Sequence, residues 1–245
     1  MNIKKIVLGY LVSTLLLNVS ASFALAQNTE PIEPSTLGVD APRASEFEYW
    51  HYVRTDIPIE NPDGLAALFV PDTFKTFTLA RTGTRYQGPG IIRFSTGPLW
   101  NLNEYVTTGV LGEFIYLNPD GQSHKQEYRI VPEVTLKGKL DFDLSWKNRN
   151  WLEYRIFPTS SSLRYRNMSR LNWKVNSKWM PFVSGEVFYD LDKGFNQSRA
   201  RIGVGYTFEK GTRLDIGYLA LHRKDTQGWY QDHALTLFLY FMPPS

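Results

Sequence analysis

The run FNQSRARIGVGYTF (195–208) places Ser198 beside Arg199 and Arg201, and the chain carries four histidines, His51, His124, His222 and His233. A serine beside a histidine can hydrolyse an ester: the imidazole takes the hydroxyl proton as the oxygen attacks the carbonyl. Here the candidates do not converge on the charges. His222 shares its alternation with Leu214, Ile216 and Tyr218, His233 with Leu235, Leu237 and Leu239, and Ser198 is out of phase with Arg199 and Arg201. All three point to the apolar side of their segments. An outward Ser/His pair near a rim stays open, because lipases of that kind face lipid, but no G-x-S-x-G or comparable motif supports one. The expectation is therefore no enzyme and no catalytic residue.

Metal and nucleic-acid chemistry find less support. No His or Cys cluster has the spacing of a ligand set. Asn118-Pro119-Asp120-Gly121 resembles a calcium loop, but Asp-Gly after Pro is a common turn, so neither metal nor cofactor is expected. Arg164, Arg166 and Arg170 are offset by acids on neighbouring segments, which argues against nucleic acid.

A third kind of chemistry comes from charges at every second position. Glu153, Arg155, Arg164, Arg166, Arg170, Glu186, Asp190, Arg199, Arg201, Arg213 and Asp215 all alternate with apolar or aromatic residues. Gathered on one surface they form a charge track with an excess of arginine, suited to small polar or anionic solutes such as organic acids or acidic oligosaccharides. Paired with one another, the same charges would plug the space they line. Both outcomes are compatible with the sequence.

The elements that must position these charges are strands. After a polar stretch, 27–45, containing three prolines, the chain is a succession of short period-2 segments, and no helical period lasts a full window. Twelve strands are predicted: 46–54, 74–83, 90–97, 105–117, 127–137, 140–147, 150–157, 162–175, 180–191, 197–208, 212–223 and 231–241. Short turns are expected at Lys147-Asn148-Arg149, Asn176-Ser177-Lys178 and Glu209-Lys210-Gly211, and a tight link at Gly138-Lys139. Longer loops are expected at Thr55 to Thr73, Pro158 to Ser161, Asp192 to Asn196 and Lys224 to Tyr230. Short turns at one end and longer loops at the other is the form of a bacterial outer-membrane barrel.

Parity then decides which face is inside. One face of 140–147 is Leu140, Phe142, Leu144 and Trp146; one face of 162–175 ends on Trp173; others end on Tyr189 and Tyr206. Amphipathic rings at the ends of an apolar face suit a membrane interface. The opposite faces mix both signs of charge with glycine, as an enclosed lumen requires, since a charge removed from water needs a partner. In the hairpin 186–208, Glu186 is expected to meet Arg201, and Asp190 to meet Arg199 or Arg201. A soluble sandwich or lipocalin-like barrel fits this pattern less well.

The N-terminus and composition agree with export. Lys4 and Lys5, the apolar run from Ile6 to Val19, and Ala24-Leu25-Ala26 before Gln27 form a signal-peptide pattern over 1–26. No cysteine occurs, so neither a lipoprotein nor a disulfide framework is expected. With the signal peptide removed the chain is nearly neutral, and no electrostatic bias points to nucleic acid or anionic lipid.

Four stretches carry a family resemblance: NWLEYRIFPTSSSLRYRN (150–167), PFVSGEVFYDL (181–191), FNQSRARIGVGYTF (195–208) and LDIGYLALHR (214–223). In order they give R-x-R-x-R, an E-x-F-x-D strand, F-N-x-x-R and a G-Y strand. Together they resemble the bacterial outer-membrane β-barrel family catalogued as domain of unknown function 2490, over roughly 125–241. The resemblance implies a location and a fold, not an activity. One departure is the C-terminus, where Phe241 is followed by Met-Pro-Pro-Ser instead of closing the chain on an aromatic residue. The expectation is all-β: one antiparallel transmembrane barrel of about twelve strands over 46–245, after a cleaved signal peptide and a flexible periplasmic leader. Its expected partners are outer-membrane lipid, the barrel-assembly machinery and small anionic solutes passing an arginine-lined lumen; a non-conducting structural or adhesive barrel and a lipid-modifying enzyme are the alternatives.

Overall fold

A strand with charges on one face and rings on the other must shield one set, and closing the sheet on itself does so without leaving an edge. The computed structural model describes residues 47–60, 70–83, 90–117, 125–208, 211–225 and 228–241; the predicted signal peptide, the leader and the Asn118–Gly121 turn lie outside them. The strands are β1 (Phe47–Pro58), β2 (Thr73–Gly83), β3 (Ile91–Asn101), β4 (Val106–Leu117), β5 (Lys125–Lys139), β6 (Leu144–Ile156), β7 (Ser161–Trp173), β8 (Trp179–Asp190), β9 (Gly194–Thr207), β10 (Arg213–Asp225) and β11 (Gly228–Phe241). They form one closed barrel in which each strand pairs antiparallel with its sequence neighbours. β1 and β11 close it in parallel, from Phe47 opposite His233 to Thr55 opposite Phe241. The parallel seam departs from the all-antiparallel expectation and follows from the odd number of strands: the first and last run the same way.

Eleven strands replace twelve because two predicted strands, 140–147 and 150–157, are one. β6 crosses Lys147-Asn148-Arg149 without a break, so those residues are not a turn. The reversal lies at 140–143, where Phe142 and Asp143 adopt φ of 64° and 56° and the Leu140 amide donates to the Leu144 carbonyl at 2.7 Å. A left-handed turn built without glycine gives no composition signal, and LDFDL alternates like a strand. Phe142 therefore stands at the turn, 88% exposed, and not within an apolar strand face. Gly138 and Lys139 belong to β5. Gly138 lies opposite Trp146, whose ring occupies the space of a side chain: a Cβ there would come 2.7 Å from the indole nitrogen.

The predicted separation of short turns from long loops is not observed. The links β6–β7, β8–β9 and β10–β11 cover only residues 157–160, 191–193 and 226–227. Gly194 (φ 75°) and Gly228 (φ 125°) let the chain reverse tightly where longer loops were expected.

The barrel is inverted relative to a soluble protein. Tyr49, Phe94, Ile130, Tyr154, Ile202 and Ile216 are among many large apolar side chains exposed on its outside, while Glu48, Arg81, Glu133, Glu153, Arg166 and Asp215 are buried inside. Among the described residues, the outward strand positions carry no Asp, Glu, Arg or Lys except Lys224, one step from the end of β10. Two apolar clusters share the interior with the charges. Trp50, Tyr52, Leu79, Leu219, Leu221 and Ala234 pack at the parallel seam; Leu99, Leu111, Val131 and Trp151 pack on the far wall. Across the seam Tyr52 and Phe238 stack with centroids 3.6 Å apart and planes at 7°.

Candidate functional site

Every second residue of β5 to β10 points inward, and the register brings their charges into contact. Glu153 is fully buried. It accepts hydrogen bonds from Arg164 Nε at 2.8 Å, Arg166 Nη1 at 2.6 Å and Arg129 Nη1 at 3.3 Å. Glu186 accepts from Arg166 Nε and Arg199 Nη1, each at 3.1 Å. Asp215 accepts from Arg170 Nη2 and Arg213 Nε, each at 2.6 Å. Arg155 donates to Glu127 at 2.6 Å and lies 3.7 Å from Asp190.

Two expected pairings are corrected. Glu186 lies opposite Arg199, and Arg201 lies opposite Ser184, so Glu186 does not meet Arg201. A bulge leaves Asn196 unpaired, with Tyr189 opposite Phe195 and Phe188 opposite Gln197; that shift sets the register of the hairpin. Asp190 lies opposite Arg164 on β7, and its carboxylate is 3.7 Å from Arg155, on β6 and not on β9.

Aromatic rings hold the guanidinium groups flat. Arg170 lies 3.8 Å from the Phe182 centroid, Arg166 4.4 Å from Trp151, and Arg199 4.5 Å from Phe188. Arg201 lies 4.6 Å from Phe238 and 5.1 Å from Phe182, with no carboxylate in contact among the described residues. Arg149 stacks on Trp151 at 5.0 Å, and its Nε has no hydrogen-bond partner. Such contacts attract a cation without neutralising it, so Arg201, held by rings, keeps its charge available to the lumen, while Arg166, Arg170 and Arg199 are also paired with carboxylates. Lys147 lies within electrostatic reach of Arg149, Arg54 and Lys75, with Glu133 as the one acid among its main interactions.

These side chains surround a cavity of 630 Å³ that runs along the barrel, from Leu117, Arg155 and Arg223 near one end to Asp56, Lys147, Arg213 and Tyr240 near the other. Fifteen lysine or arginine side chains line it against five carboxylates. Glu153 and Asp190, both predicted to line the lumen, are buried behind its surface with Glu48, Glu133 and Asp232. Arg155, Arg164, Arg166, Arg170, Glu186, Arg199, Arg201, Arg213 and Asp215 lie on the lining itself. The arrangement can hold an anion against several fixed cations; among the described residues no group of His, Cys, Asp and Glu could hold a metal ion.

Over residues 74–232, from β2 into β11, the chain matches the family described as a protein of unknown function, DUF2490. The chain belongs to the DUF2490 family. The match extends the resemblance seen over 125–241 back to β2. No curated protein and no solved structure matches it.

In this DUF2490 barrel eight of the fifteen basic lining residues lie outside the set predicted from sequence. Arg54, Lys75, Arg81, Arg93, Arg129, Lys147, Arg149 and Arg223 face the same cavity. Parity could have found most of them, since Arg129 alternates in phase with Glu127, Val131 and Glu133. Lys147 and Arg149 were hidden by their assignment to a turn.

Proposed function

We propose that this DUF2490 protein is an outer-membrane β-barrel that passes small anionic solutes through a narrow, basic lumen. The observation that carries the reading is the length and sign of the cavity, lined by basic side chains from near one end of the barrel to near the other. Fixed cations along a confined path favour anions over cations, because low-dielectric walls focus their field. Membrane placement is supported by the outer surface, where contiguous aromatic and aliphatic side chains far exceed what a water-facing monomer exposes. Trp173 and Tyr189 close the apolar faces of β7 and β8, as interfacial girdles do. The export signal read at the N-terminus and a barrel-assembly partner fit the same placement.

The test is single-channel recording in planar bilayers under a salt gradient. Discrete conductance with an anion-selective reversal potential is expected, and Arg199→Glu with Arg201→Glu should move that potential toward cations. A folded, inserted protein that never conducts at any salt or voltage would overturn the channel and leave a sealed barrel.

A further inference from the structure

The outer face of β9 to β11 carries reactive side chains that the lumen does not use. Ser198 stands directly opposite His222, and His222 directly opposite Gln231 on the next strand. Facing residues of antiparallel strands hold their Cβ atoms about 5 Å apart on one surface. Ser198 is 0% and His222 3% exposed. Neither the Ser198 hydroxyl nor either ring nitrogen of His222 has a hydrogen-bond partner among the described residues, and Asn196 Oδ1, at the bulge two residues before Ser198, is also buried and unpartnered. Buried polar groups are nearly always bonded. Three such residues at one place are better matched to a polar binding role than to packing.

Gln231 is placed to orient the ring. It approaches His222 as a side-chain hydrogen-bond partner, in a geometry too strained to close the bond fully. Its Nε2 is 3.3 Å from His233 Nε2, and His233 Nδ1 meets the Tyr218 hydroxyl. Both contacts hold when His233 carries its proton on Nδ1 and donates to Tyr218. Gln231 then donates to His233 and keeps its carbonyl oxygen for a proton on His222.

The depth of the row is informative. One step toward the strand ends lie Tyr189, Phe195 and Trp229, with the last two in ring contact at 5.5 Å although β10 runs between their strands. One step the other way Gly185, Ala200 and Ala220 face one another in register, leaving a shallow strip of small residues. Aromatic side chains mark headgroup level, so the row sits at the depth of a membrane lipid's ester, with half-buried Ala200 and Ala220 beneath it on the acyl-chain side.

We propose that Ser198 and His222 are the nucleophile and base of a site that hydrolyses an acyl ester of a membrane lipid at the outer wall of the barrel, with Gln231 positioning His222. The site rests on the bilayer placement above and not on conduction. Ser198 Oγ bonds to the ester carbonyl carbon while His222 takes its proton. The tetrahedral adduct collapses, the bond to the alcohol oxygen breaks, and the alcohol leaves with that proton. Water then attacks the acyl-serine, its proton passing through His222 back to Ser198 as the fatty acid departs. The two groups are not hydrogen-bonded to each other, and catalytic hydrogen bonds of this kind commonly tighten only around substrate.

The test uses the full chain, folded and inserted into two sets of vesicles, one of phosphatidylethanolamine with phosphatidylglycerol and one containing lipid A, with fatty-acid release read by mass spectrometry. Release from either set that Ser198→Ala abolishes is expected, and the productive set names the lipid. His222→Asn should lower release at least about 100-fold. Gln231→Ala should lower kcat with KM held, and Gln231→Glu, which offers the same acceptor, should restore part of the loss. No release from either set by inserted protein overturns the proposal, as does release that survives Ser198→Ala. If that variant does not fold, labelling of native Ser198 by a fluorophosphonate decides instead. Failure to insert at all belongs to the membrane placement, and lipid offered in detergent micelles still tests the pair.

Discussion

Glu153 shows how one residue holds the lumen together. It is fully buried and receives three arginines from β5 and β7. Removing its charge orphans Arg164, while Arg129 keeps Glu127 and Arg166 keeps Glu186, and an orphaned buried charge costs about 3–5 kcal/mol. Glu153→Gln is therefore expected to lower the denaturant midpoint of the folded, heat-modifiable form by a corresponding amount. Among the described residues Arg201 is held by rings and by no ion pair, so Arg201→Gln should cost less than about 2 kcal/mol. At this scale the sequence was informative through parity alone: it separated the charged set from the apolar set, but not Glu186–Arg199 from Glu186–Arg201. That choice depends on the bulge at Asn196, and a bulge has no composition signal of its own.

The reversal between β5 and β6 shows what periodicity misses. Two consecutive left-handed residues, Phe142 and Asp143, make a hairpin turn that favours Asn-Gly. The double change Phe142→Asn and Asp143→Gly should raise stability by about 1–2 kcal/mol, since each original residue carries left-handed strain. A fall in the unfolding midpoint would mean that Phe142 anchors the rim instead. The seam is the other informative element. Parallel pairing is slightly weaker per residue than antiparallel, and the Tyr52–Phe238 stack bridges it from inside. Phe238→Ala is expected to cost about 3 kcal/mol and to speed hydrogen exchange first in β1 and β11. Nothing in the sequence announced the seam, because it is a consequence of strand number, and the count was blurred by the glycine-free turn at 140–143.

For the whole molecule, the inside-out distribution of side chains matters more than any single contact. Ile202 is 64% exposed on the outer wall. In water, Ile202→Arg would be harmless; at the middle of a bilayer it should cost about 2–4 kcal/mol and reduce insertion into vesicles. Closure of the barrel and the inward direction of the charges were legible in the sequence because period-2 alternation persists over almost every strand. The cationic Lys147–Arg149 end of the lumen was not, since those residues read as a turn, and neither was the Ser198–His222–Gln231 row, since parity gives the face of each residue but not its register across β9, β10 and β11. The chain has no cysteine, so the direction of β9 can be measured with single introduced thiols. Nitroxide labels at Ile202→Cys, Val204→Cys and Tyr206→Cys, compared with Arg199→Cys, Arg201→Cys and Thr207→Cys, report collisions with oxygen in lipid or with a water-soluble nickel complex. In reconstituted protein the first three should favour oxygen and the second three nickel, alternating residue by residue. The opposite phase, or no alternation at all, would contradict a barrel that keeps its charges inside and turns its rings to lipid.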